Sequence, residues 1–551
     1  MNKFAKFGLI LIGIILLTTL LLARNSPITA VRGKSPAILL TGVLTPENQL
    51  AQDLALTDAR VIAHTTGRRA EVFGVQTDGL HYPASAAECD TADCRQVNIY
   101  NFDDNAAITA IVNLDTRTIV EVLHQPGVQP GINKRLFDVA VRIIHDSPEV
   151  AAILGDPPPL EDIYPMMSSY AGTACGSEHL CMAAVFINDE LLDHRILWAH
   201  VDLTTETFAG IGWSASPGEH GLAVPSAPGG CPAPGSLSQN GWSLDYQVSG
   251  SDGLLTTNVQ FQGIPVITSV KLAEWHADYG SSGYVDATGC TGGGGFPILP
   301  YGDPYTQPIT VTIQGQPVTG FELVQDFRMG NWGATCNYRY EQHLQLFDDG
   351  RFRVVAGAYG KGCGSNSIYR PLIRIDLAVN GDEGDTFATW DGVNWVDELT
   401  EGWWLQGAPY TAQRYLWRVI DTTTQRGYFI EPGQAQFNSS RRGDGAYLYV
   451  VQHHPNEGDT DLGAVGTCCN DDEFQGPHQY INGESINGEN LVIWYVPQFI
   501  TDTTPGREYC WTIQGEPNPI TYPCFGGPLF HPFGIPASGL ETWFPLIFNG
   551  P

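Results

Sequence analysis

Across residues 236–551 apolar side chains almost never recur at the three- and four-residue spacing of a helix. They come instead in short alternating runs broken by glycine, proline, asparagine and aspartate. A segment this long with period-two patterning must bury its apolar faces sheet against sheet, so it predicts a large, mainly antiparallel β-sandwich with long loops. The sharpest unit joins residues 345–347 to 351–355 through Asp348, Asp349 and Gly350, and reads as a tight β-hairpin. The 62 glycines and 37 prolines supply the turns such a fold needs.

Upstream the pattern differs. Thr45, Pro46 and Glu47 form a helix start, Leu50, Leu54, Val61 and Ile62 give its buried side, and Gly67 ends it. Short strands are expected near 70–75, 96–102, 108–114 and 118–124. Ile132, Leu136, Val139 and Ile143 then share one face of a second helix, and Ser147 caps a shorter one that stops at Gly155. Further strands are expected near 181–188 and 196–203. This predicts two small α+β units, 36–128 and 129–228, each with a helix laid on an antiparallel sheet. The glycine- and proline-rich residues 229–235 link them to a sandwich spanning 236–551.

Residues 1–24 carry Lys3 and Lys6, an uncharged apolar run over 7–22, and Arg24, which reads as a signal peptide or an N-terminal membrane anchor. The bulk of the chain is therefore expected to be secreted or otherwise extracytoplasmic. Twelve cysteines fit that compartment as disulfides. Cys89 with Cys94, Cys175 with Cys181, and Cys510 with Cys524 are close enough to staple, Cys336 is within reach of Cys363, and the adjacent Cys468 and Cys469 are expected to take other partners. A net charge of −31 argues against nucleic acid and against anionic membrane surfaces, leaving the N-terminal segment as the only membrane contact. The same charge would draw in cationic small molecules such as amines, or simply keep the protein soluble.

Asn337, Tyr338 and Tyr340 form an N-Y-x-Y pattern leading into the hairpin, with Arg339 between the tyrosines and Ala334 four places before the first. The pattern resembles the cofactor motif of the copper amine oxidases, whose consensus has an acidic residue and a threonine at those two places. Four further segments lie along the chain in the family's order. Lys271, Leu272, Ala273 and Glu274, ahead of Tyr279-Gly280, resemble its S-L-A-E…Y-G. Tyr284, Val285, Asp286, Ala287 and Gly289 resemble its Y-F-D-x-G segment. Arg374, Ile375, Asp376 and Gly381 resemble R-L-D…D-G, and residues 491–495 resemble D-L-V-x-W-Y.

The resemblance implies small α+β domains ahead of a copper amine oxidase-like β-sandwich, in a homodimer. It implies oxidative deamination of a primary amine by dioxygen to an aldehyde, ammonia and hydrogen peroxide. Tyr338 would be converted to topaquinone, Asp286 would be the base that removes the α-proton, and Asn337 would restrain the cofactor ring. It also implies copper on three histidines. Counting back from Arg374, however, two of those places fall on Ser367 and Tyr369, and the third falls in 501–504, where Thr501, Asp502, Thr503 and Thr504 stand. No histidine lies between His343 and His453, and the chain has no H-x-H, so the metal ligands are left unassigned. His453, His454 and His478 could form a different metal site or a solvated loop. The alternative function is a catalytically inactive relative acting as an extracytoplasmic binding or surface protein. Gly360, Gly362 and Gly364 are followed by no helix pattern, which argues against a phosphate cradle. There is no G-x-S-x-G and no H-E-x-x-H, while a serine triad stays open.

Overall fold

A computed structural model describes residues 34–535 except 41–43, 78–81, 176–177, 188–191, 193–194, 216–230, 292–297, 361, 434–443, 467, 469–472 and 514–518. The expectations for residues 1–24 and for Cys469 lie outside the described residues. No described helix is long and apolar enough to cross a membrane.

Local chemistry sets the first elements. The Thr45 hydroxyl accepts from the Asn48 N–H and starts helix α1, Pro46–Ala55. The single helix expected from 45 to 67 is divided, because the Asp58 carboxylate accepts from the Arg60 N–H and starts α2, Ala59–Thr65. Both pack on a four-stranded antiparallel sheet of Ala70–Gln76, Cys94–Asn101, Ala106–Asn113 and Thr118–Pro126. Asn133 caps α3, Lys134–His145, and Ser147 caps α4, Pro148–Leu154, which ends at Gly155 with φ +90°.

Two large sheets follow. The strands Met166–Tyr170, Cys181–Ile187, Arg195–Asp202 and Thr207–Ala215 join the first of these through the strand Ser282–Asp286, with Tyr284 opposite Ser168. This 14-stranded sheet continues through the 15-residue strand Ile264–Asp278 to Ile368–Leu377 and Leu491–Val496. A 12-stranded sheet faces it, centred on Gln316–Arg328, Arg339–Phe347 and Phe352–Ala358. The expected hairpin is the last pair, with Gly350 at φ +87° in the turn. Apolar side chains from both sheets form one core that includes Trp242, Trp275, Phe327, Leu346, Ile373 and Tyr495. The mainly antiparallel sandwich read from the sequence is the observed fold.

Five disulfides are described: Cys89–Cys94, Cys175–Cys181, Cys231–Cys290, Cys336–Cys363 and Cys510–Cys524. They fit an extracellular location.

On Arg339–Phe347, His343 sits between two carboxylates, with Nδ1 3.0 Å from Glu322 and Nε2 3.1 Å from Glu341. Burial opposes its charge, yet the two partners outweigh burial and lift it to about 9. Because the folded value is raised, the stabilisation is complete below the ordinary histidine pKa of about 6.5 and is lost as pH rises through about 9. Urea unfolding should therefore show a loss on the order of 3 kcal/mol between neutrality and about pH 10. His343→Gln should flatten that dependence.

Candidate active site

The two sheets meet at a cluster of buried aromatic side chains. Tyr338 ends the 329–338 loop, which is closed by Met329 N–H to Tyr338 C=O at 3.0 Å and by Met329 Sδ 3.2 Å from the Tyr338 nitrogen. Cys336, at φ +57°, fastens this loop to 362–367 through its disulfide to Cys363. Two residues on, Tyr340 shares the inward face of its strand, and Trp275 from the opposite sheet stacks on it at 4.1 Å and 8°. Asp286 ends Ser282–Asp286, directly across from Trp275.

The Tyr340 hydroxyl donates to Asp286 Oδ2 at 2.6 Å, while Asp286 Oδ1 has no hydrogen-bond partner. Asp286 is 2 % exposed, and burial pushes its carboxyl up to about 7 against the opposing pull of the Tyr340 bond. Tyr338 and Tyr279 share a hydrogen bond of 2.7 Å between their hydroxyls, and Cys363 N–H donates to Tyr279 Oη at 2.8 Å. Burial first, and then the charge of Asp286, raises the Tyr338 phenol well above the ordinary tyrosine value. Tyr338 and Asp286 are thus brought into one cluster, with Tyr340 holding the carboxylate. Asn337 is half-buried and donates to the Thr335 carbonyl at 3.0 Å, so its amide braces its own loop.

Tyr338 is tightly boxed. Its ring stands perpendicular to Tyr284 and Tyr369 at 6.4 and 6.5 Å between centroids. On another side Gly362 fits only because it lacks a side chain: a Cβ there would lie 1.9 Å from Tyr279 Oη and 2.6 Å from Tyr338 Cε1.

Of the places that the resemblance gives to metal ligands, Ser367, Tyr369 and the start of 501–504 come together, while the Asp502 carboxylate accepts from Thr504 N–H and pairs with Arg507 at 3.4 Å. Ile368 pairs with Ile500, which sets the Ser367 and Thr501 hydroxyls 2.6 Å apart, and Thr501 N–H donates to the Ser367 carbonyl. Tyr369 is fully buried beside them and accepts from Gly362 N–H. A serine, a threonine and a tyrosine whose phenol burial has pushed up form a set of neutral hydroxyls, whereas copper(II) favours imidazole nitrogen. These residues do not fit copper.

His453, His454 and His478 do not converge either. His453 pairs with Asp459 at 2.8 Å, His454 with Glu484 at 2.6 Å, and His478 accepts from Gly476 N–H. Among the described residues, the one group of three or more histidine, cysteine or carboxylate donors lying within 4.8 Å of one another is Asp376, His453 and Asp459. Arg374 already bonds both carboxylates, at 3.4 and 3.1 Å, which makes the group an ion-pair knot.

Sequence reading did not anticipate Tyr279 or Gly362 as wall residues. Tyr279 lies in a family-like segment, but nothing local shows that its hydroxyl reaches a residue 59 positions away.

No protein-family model matches the sequence, and no curated protein matches it. Solved structures do match. A copper-containing benzylamine oxidase from Hansenula polymorpha aligns with TM-score 0.50 and 15 % identity over 88 % of this chain and 96 % of its own. An amine oxidase from Aspergillus nidulans gives 0.48 and 12 % over 91 % of each chain. Pichia pastoris lysyl oxidase gives 0.46 and 12 % over 92 % of each. The benzylamine oxidase match shows the fold: a copper amine oxidase fold spanning nearly the whole chain.

Two substitutions test this geometry. Tyr340→Phe leaves Asp286 without its donor, so an infrared titration of the carboxyl should find its pKa moved upward from about 7. Gly362→Ala forces a methyl into Tyr279 and Tyr338 and should cost about 1–3 kcal/mol in chemical unfolding.

Proposed function

We propose that this chain is an extracytoplasmic binding or surface protein that keeps the copper amine oxidase fold without the metal-dependent chemistry. The observation that carries the proposal is the set of hydroxyls where the resemblance calls for imidazoles: Ser367 bonded to Thr501, and Tyr369 beside them accepting from Gly362 N–H. The close box around the Tyr338 ring points the same way, since it leaves Cε1 against Gly362. In this reading Tyr338 stays a tyrosine and works as a packing residue. Residues 1–24 export or anchor the chain, units 36–128 and 129–228 precede the sandwich at 236–551, and two copies associate.

A second reading is favoured by one observation. Asp286 is a buried carboxyl with one unpartnered oxygen and a pKa near 7, which suits a general base at neutral pH. That reading makes the protein a primary-amine oxidase consuming dioxygen. It would also require topaquinone at Tyr338 and a copper site that the hydroxyl donors do not supply.

One experiment separates the two readings. The exported chain is purified after exposure to copper and air, and the Tyr338 peptide is weighed while the metal in the same sample is assayed. Unmodified tyrosine without stoichiometric copper is the expected result. A gain of two oxygens with loss of two hydrogens, together with one copper per chain, would establish the oxidase and overturn the proposal.

A further inference from the structure

Away from the aromatic cluster, a lysine and a carboxylate are enclosed, with a second, half-buried carboxylate beside them, where the 249–253 turn meets Ile264–Asp278 and the 460–463 loop. Lys271 is 3 % exposed, and its Nζ lies 2.5 Å from Asp252 Oδ2 and 2.7 Å from the Thr460 carbonyl. Asp252 is fully buried and is held in place by the Leu462 N–H at 3.0 Å from Oδ1 and 3.1 Å from Oδ2. The next residue after Thr460 is Asp461, whose Oδ2 accepts from Gly250 N–H at 2.8 Å. Burial, and then the Asp252 charge, push the Asp461 carboxyl up to about 7. Lys271 stands where the family-like S-L-A-E segment has serine, so the trio belongs to this chain and not to that pattern.

We propose that Lys271 and Asp252 are joined by an intramolecular isopeptide bond, with Asp461 carrying the proton. Lysine Nζ adds to the carboxyl carbon of Asp252, one bond beyond the oxygen it already contacts. The Nζ–Cγ bond forms and one Cγ–O bond breaks. Two protons leave the ammonium and depart with that oxygen as water, and one stays on the amide nitrogen. Asp461 takes a proton from the nitrogen and returns it to the leaving oxygen, because it lies between Thr460, whose carbonyl meets Nζ, and Leu462, whose N–H meets Asp252. No electrons enter or leave, so no oxidant and no cofactor is needed.

The surroundings favour the step. A buried ion pair pays for desolvating both charges, and a neutral amide removes that cost. The reacting groups are fixed in contact, which substitutes for a high effective concentration. A cavity of about 20 Å³ lined by Ser251, Asp461 and Gly463 adjoins the Asp461 side of the group and is large enough for one water. The bond would tie the 249–253 turn to the strand Ile264–Asp278, and thiol reductants would leave it intact.

The test uses the full exported chain, denatured and with its disulfides reduced. Chymotrypsin cuts between the two residues at Leu255 and Phe261. The expected result is a joined pair of peptides, one carrying Asp252 and one Lys271, lighter than their sum by one water, with trypsin failing to cut after Lys271. Separate peptides at full mass would overturn the proposal. So would loss of water confined to the Asp252 peptide, because an Asp252-Gly253 step can close on its own backbone and leave Lys271 free. Asp461→Asn is expected to leave most of the chain unjoined, and joining to the wild-type extent would overturn the role given to Asp461.

Discussion

The hydrogen bond from Tyr340 to Asp286 runs from one sheet of the sandwich to the other, and the central core is arranged around it. Asp286 comes from the strand that links the strands at 166–215 to the rest of the larger sheet, and Tyr340 from the strand after the Tyr338 loop. A single carboxylate in a dry aromatic core is costly, and the bond to Tyr340 recovers only part of that cost. Trp275 stacked on Tyr340, and Tyr279 bonded to Tyr338, keep the donor aimed and water out. The disulfide between Cys336 and Cys363 holds the two loops that carry the remaining walls.

Much of the architecture was legible because its causes are local. The caps at Thr45 and Ser147, the hairpin turn at Gly350 and the short-range pairs Cys89–Cys94 and Cys175–Cys181 each depend on residues within a few positions. The split between α1 and α2 was missed because apolar spacing runs through it, while the Asp58 cap that divides it depends on one side chain. Cys231–Cys290, 59 residues apart, carries no local signal. The site was legible in part for the same reason. Family-like segments marked Tyr338 and Asp286, but the Tyr340 donor, the Gly362 contact and the Lys271–Asp252 pair with Asp461 beside it depend on which strands face each other. Periodicity does not encode that.

The fold and the chemistry point in different directions. Sheet order and core follow from period-two patterning and survive extensive change in side chains, so a likeness spanning most of the chain coexists with 15 % identity. Metal chemistry depends on a handful of donor atoms. Here the strand pairing that brings Ser367, Tyr369 and Thr501 together is intact, and the nitrogen donors are absent from it. The likeness therefore concerns the fold, and function has to be argued from the site.

The central claim is that this convergence point binds no copper(II). Electron paramagnetic resonance of the wild-type protein, loaded with one equivalent of copper(II) and passed over a desalting column, tests it directly. The account predicts that the copper elutes with the buffer and that the protein fraction is silent. A retained axial copper(II) signal, abolished by substituting Ser367, Tyr369 or Thr501, would contradict it.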